Sequence, residues 1–153
     1  MKKFTKVIVC MLLLVLVLPN SVQATAVKEQ SEDVIYFDDG SYITVEISMI
    51  ETRANSTKSG KKTYVYNSSG GDELWRAVLS GTFTYTGTTA TCTASSGSVT
   101  ITNDAWYTVS KTASKSGASA ILDLTMGRKI LGITIEKKSI DMKLTCDKNG
   151  NLS

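Results

Sequence analysis

The stretch ELWRAVLSGTFTYTGTTATC, residues 73–92, decides the fold. Trp75, Ala77, Leu79, Gly81, Phe83 and Tyr85 fall on alternate positions, so with a side-chain period of two they share one face of a strand. Arg76, Ser80, Thr82 and Thr84 share the other. One face suits a core and the other suits water. Thr86-Gly87-Thr88 then supplies a tight turn, and Ala90, Cys92 and Ala94 resume the inward row on a returning strand.

The same pattern extends outward in both directions. Toward the N-terminus, residues 34–37 and 42–50 flank the turn signal Asp38-Asp39-Gly40, which predicts a hairpin. Residues 52–62 are polar and read as an exposed loop or linker, residues 63–67 as a short aromatic strand, and Ser68-Ser69-Gly70-Gly71 as its end. Toward the C-terminus, strands are expected at 98–102 and 105–110, a loop at 111–117, and a strand at 118–126. Gly127-Arg128 reads as a turn into a strand at 129–136, with Leu131, Ile133 and Ile135 on one row, and Lys137-Lys138 leads to a last strand at 139–146. Short strands broken by regular turn signals, with no helix-period segment, predict an all-β chain: an antiparallel β-sandwich, immunoglobulin-like in architecture, with an N-terminal hairpin.

Residues 1–24 have the form of a secretory signal peptide, with Lys2, Lys3 and Lys6 ahead of an apolar run at 7–18 and Pro19 closing it. Cleavage fits after Ala24 or after Ala26. The run is shorter than the ~20 apolar residues a bilayer requires, so no membrane span is expected. Residues 25–153 then form one domain, with 25–33 expected to be flexible. The chain carries 17 basic and 14 acidic residues, and losing those three lysines leaves the remainder neutral, which argues against nucleic acid as a partner. Proline is absent beyond Pro19, and serine and threonine exceed a quarter of the rest, as suits strands and turns.

Histidine is absent from the chain, which excludes Ser-His-Asp and Cys-His catalysis and histidine-based zinc sites. Ser59-Gly60-Lys61-Lys62 and Lys115-Ser116-Gly117 resemble pieces of the penicillin-recognising signature but read as loop chemistry on so small a chain. Asp38/Asp39 and Asp72/Glu73 offer carboxylates, yet neighbours in a turn lack the separation that glycoside hydrolysis needs. Asp147-Lys148-Asn149-Gly150-Asn151 begins like a calcium loop without its closing glutamate and reads as a polar tail. Asn55-Ser56-Thr57 fits a glycosylation acceptor. No cofactor, metal or catalytic residue is expected.

Two cysteines remain once Cys10 leaves with the signal peptide, so Cys92 and Cys146, each on an inward row, are expected to form a disulfide outside the cell. For binding, the candidate surface is whichever of Trp106 and Tyr107 faces outward, together with the expected 111–117 loop bearing Lys111 and Lys115.

DDGSY, ELWRAVLSGTFTYTGTTATC, the SKSGASA segment and the closing LTCDKNGNLS together resemble a family of small secreted proteins of Gram-positive bacteria with no established function. The resemblance implies export and a shared β-domain, and transfers no catalytic residue or ligand. The expected protein is a secreted, extracellular, non-enzymatic β-sandwich, released rather than wall-anchored, that binds a glycan or a protein. The alternatives are a small antibacterial protein and a glycan-processing enzyme.

Overall fold

Eight strands follow one another among the described residues: β1 (Val27–Tyr36), β2 (Tyr42–Ile50), β3 (Thr57–Asn67), β4 (Glu73–Tyr85), β5 (Ala90–Ile101), β6 (Trp106–Ser116), β7 (Ser119–Ile130) and β8 (Ile133–Thr145). They come from a computed structural model that describes residues 27–50 and 56–153; residues 1–24, expected to be a signal peptide, with Cys10, and the glycosylation candidate Asn55 lie outside the described residues. The strands form a five-stranded sheet ordered β1-β2-β3-β4-β5 and a three-stranded sheet ordered β6-β7-β8, antiparallel throughout. The two-sheet sandwich is the expected architecture, and each hydrogen-bonded neighbour is also a neighbour in sequence.

The stretch at 73–92 behaves as its alternation dictates. Trp75, Ala77, Leu79 and Phe83 are buried on one face of β4 and meet Ala120, Leu122, Leu124 and Met126 of β7 and Met142 and Leu144 of β8 in a single core. Close approach of the sheets requires Gly81, where a Cβ would stand 3.0 Å from that of Ala120 and 2.6 Å from the Phe83 ring. Cross-strand rows carry the core across the larger sheet, as in Ile43–Tyr66–Trp75 and Val45–Tyr64–Ala77.

Several local expectations are corrected. β5 is one strand, not two, and a bulge at Thr93 reverses its parity, so Ala94 pairs with Thr82 and faces outward while Ser95 takes the place opposite Gly81. Residues 111–116 belong to β6 rather than to a loop, since serine and lysine tolerate a strand that stands at the exposed margin of its sheet. Residues 57–62 belong to β3, and β1 begins at Val27, within the segment expected to be flexible. In the smaller sheet Gly127 is no turn: it lies mid-strand beneath the Tyr107 ring, whose nearest atom is 2.5 Å from where a Cβ would stand.

The turn that joins β7 to β8 is Leu131-Gly132 instead, with φ of 50° and 81°. Positive φ at both central residues is the hairpin turn compatible with strand twist, and Asn-Gly is its usual occupant. Leu131 is the only non-glycine at positive φ among the described residues, and a leucine there costs about 1–2 kcal/mol. The apolar row of Leu131, Ile133 and Ile135 is exposed.

The C-terminal segment is not a free tail. Asp147 caps its own turn, its Oδ1 accepting from the backbone N–H of Asn149 and Asn151 at 2.8 Å each. The chain then doubles back, so that Ser153 and Thr145 exchange backbone hydrogen bonds of 3.0 and 2.9 Å and Leu152 is buried over Gly60 of β3.

Candidate functional site

The inward rows of the smaller sheet do not end where its apolar residues end. On β7 the row of Ala120, Leu122, Leu124 and Met126 continues to Arg128; on β8 the row of Leu144, Met142 and Ile140 runs back to Lys138 and Glu136. These charges sit at the mouth of the sandwich, facing the turns of the larger sheet. There the β1–β2 turn brings Asp39 and Ser41, the β3–β4 turn Ser68 and Ser69, and the β5–β6 turn Asn103. Together they enclose a cleft of about 330 Å³, with Tyr66, Leu74 and Trp106 also in its lining.

Aromatic packing makes the floor rigid. Tyr66 stacks on Trp75 with ring centres 5.1 Å apart, and Trp106 meets both edge-on at 5.3 and 6.4 Å. Phe37 meets Tyr66 edge-on at 5.8 Å.

Lys138 spans the mouth between the sheets. Its Nζ lies 4.1 Å from the centre of the Phe37 ring, 5.1 Å from that of Tyr66, 3.7 Å from Asp39 Oδ2 and 3.3 Å from Glu136 Oε1. Burial pulls its pKa down, but the Tyr66 hydroxyl and the carboxylates of Asp39 and Glu136 outweigh that and leave it above its ordinary value. Tyr66 donates to Ser41 Oγ at 2.9 Å, and Ser41 in turn donates to Asp39 Oδ1 through both its hydroxyl and its backbone N–H. Those donors from Ser41 push the Asp39 pKa down. Arg128 Nη1 reaches Glu136 Oε2 at 3.8 Å. The result is a stiff cleft with aromatic and serine, asparagine and charged groups fixed around it, able to hydrogen-bond a hydroxyl-rich molecule from several sides.

The structure separates the residues proposed from sequence as one surface. Trp106 faces inward and is 4% exposed, forming part of the cleft lining. Tyr107 faces outward, lies over Gly127, and shares a 2.6 Å hydroxyl hydrogen bond with Thr134. Lys111 is exposed midway along β6. Lys115 stands nine residues from Trp106, about 30 Å along the strand, where its Nζ donates to Thr93 O of β5 at 2.6 Å. The sequence reading singles out none of Arg128, Glu136, Lys138 and Asn103, and weighs Asp39 only as the neighbour of Asp38, although a charged residue continuing an apolar row is a readable signal for the first three.

At the opposite end, Cys92 and Cys146 are buried free thiols in this structure rather than the expected bridge. Their backbones are held side by side: Cys92 N donates to Gly117 O at 2.8 Å and Cys146 N to the next carbonyl, Ala118 O, at 3.0 Å. Burial raises both thiol pKa values, with Lys115 opposing the shift at Cys92 and Asp147 adding to it at Cys146. Among the described residues no three His, Cys, Asp or Glu side chains gather as a metal site requires, and no helix is long and apolar enough to cross a membrane. No family model, no curated protein and no solved structure matches this chain.

Proposed function

We propose that the protein is a secreted, non-enzymatic binding module whose mouth cleft takes a hydroxyl-rich extracellular ligand, a glycan in the first instance. The cleft between Asp39, Asn103, Arg128 and Glu136 carries this reading, because Arg128 and Glu136 project from rigid strands and pair with each other, Asp39 is held by Lys138, and Asp39 and Asn103 sit on short turns. Its carboxylates favour binding over glycoside hydrolysis. Asp39 is pushed toward the ionised form by Ser41 and shares the Lys138 ammonium with Glu136, whereas a general acid needs the opposite shift.

Export also supplies the setting in which the neighbouring thiols of Cys92 and Cys146 become a disulfide, each losing a proton and an electron to an extracytoplasmic thiol oxidant. Glycan-array screening followed by calorimetry tests the cleft. Binding that falls at least roughly tenfold in Arg128→Ala and in Asn103→Ala, with unchanged melting temperature, supports it. Glycan binding unaltered by both substitutions, or the absence of any glycan ligand, overturns it.

A further inference from the structure

The β7–β8 hairpin runs past the end of the sandwich. β6 begins at Trp106, which pairs with Arg128, and Lys129 N still donates to Ala105 O at 2.8 Å; beyond that point the two strands have only each other, with Ile130 paired to Ile133. The overhang from Lys129 to Leu131 is two residues, about 7 Å. Its side chains are the opposite of what a projecting turn in water selects. Ile130, Leu131, Ile133 and Ile135 are 50, 98, 69 and 52% exposed, and the tip position that asparagine or glycine would occupy without strain holds Leu131 at φ 50°.

Behind this apolar tip the charge is mostly of one sign. Arg128, Lys129, Lys137 and Lys138 flank it; Glu136 holds Arg128 and Lys138 at 3.8 and 3.3 Å and Asp39 holds Lys138 at 3.7 Å, while Lys129 and Lys137 are exposed. Lys129 is steadied over the Tyr107 ring, 5.6 Å from its centre. The acidic turns bearing Asp39 and Asp104 meet the base of the hairpin, the first at Lys138 and the second through the Ala105 O that accepts from Lys129 N, and the tip from Ile130 to Ile133 extends past both.

We infer that the Ile130–Ile133 tip inserts into the surface of an anionic lipid bilayer. Apolar side chains within about 10 Å of a cationic collar match the depth to which interfacial segments enter the boundary between headgroups and acyl chains. The cations then meet lipid phosphates while the mouth cleft faces the membrane from its wet side. This contact is independent of what the cleft binds.

Co-sedimentation with phosphatidylcholine vesicles and with mixed phosphatidylcholine–phosphatidylglycerol vesicles tests the inference. Leu131→Asp and wild type are compared in the full chain, so that any contribution from the apolar stretch at 7–18 cancels. The expected result is binding to the mixed vesicles that exceeds binding to the neutral ones, falls about tenfold or more in Leu131→Asp, and falls in Lys129→Glu/Lys137→Glu. Leu131→Trp should show a blue-shifted emission on adding the mixed vesicles. No vesicle binding, or binding indifferent to Leu131→Asp, overturns the inference. So does a dimer that Leu131→Asp dissolves in the absence of lipid binding, because a second copy would then cover the tip.

Discussion

The Lys138 ammonium sits 4.1 Å above the Phe37 ring, a contact that joins the last strand of the smaller sheet to the first turn of the larger one. A cation over an aromatic face contributes about 0.5–2 kcal/mol, and the flanking ion pairs to Asp39 and Glu136 add less because Asp39 is largely exposed. Lys138→Met keeps the apolar stem and deletes the charge. It should lower stability by about 1–2 kcal/mol, read as a melting temperature lower by a few degrees. Since the folded pKa of Lys138 is raised, its contribution is fully present below the ordinary lysine value of 10.5 and lost as pH climbs through the folded one. The gap between wild type and variant should therefore persist at neutral pH and close in strong alkali; a constant gap would assign it to packing alone.

Acid should act through carboxylates whose folded pKa is depressed. Hydrogen bonds from Ser41 do this to Asp39, those from Asn151 to Asp147, and that from Arg76 to Glu73. Each stabilises the fold above its ordinary value, 3.8 for the aspartates and 4.5 for Glu73, and ceases to as pH falls through the lower folded value. Melting temperature should be level between neutrality and about pH 5 and fall below about pH 4. Asp147→Ala should shrink that fall and speed amide exchange at Ser153, whose N–H is bonded to Thr145 O.

Intact-mass analysis after alkylation without reductant should find Cys92 and Cys146 unmodified in exported protein. Their burial and raised pKa make attack in the finished fold slow, so oxidation belongs to folding, before the core closes. Such a bridge would close a loop of about 54 residues, worth about 4 kcal/mol in the chain-entropy picture, less any strain. Reduction should lower the melting temperature accordingly. Two alkylated thiols in the exported form would exclude the pairing.

Leu152→Ala should cost about 2–4 kcal/mol in chemical denaturation, as for a buried leucine elsewhere, although it lies one residue from the end of the sequence. Gly60→Val should be no better tolerated: any Cβ there collides with Leu152 and comes within 3.1 Å of Ser48 O.

Strand alternation made β2, β4 and the second half of β8 readable, because Ile43 to Met49, Trp75 to Phe83 and Ile140 to Cys146 follow a strict period of two. The pattern failed where something other than a row of side chains set the geometry. One extra residue at Thr93 reversed the faces of β5 without leaving a trace in composition. Gly127 resembled a turn because its mid-strand role, making room for Tyr107, depends on a partner twenty residues away in sequence. Leu131 and its neighbours alternated correctly yet faced no second sheet, and alternation alone cannot reveal how far the opposite layer extends. The cleft was hidden for a related reason: Arg128 and Lys138 read as turn residues until their strands proved continuous.

Leu152 seated over Gly60 also imposes an order of events. Neighbouring strands can zip into hairpins as they emerge, since their pairings are local and close small loops. Leu152, by contrast, is synthesised long after the β3 site it covers, so a growing chain carries that part of the larger sheet uncovered through most of its production. Nascent intermediates of this protein should thus be sheets lacking a lid, and a chain interrupted before residue 152 should be far more vulnerable to protease than its near-complete strand content suggests.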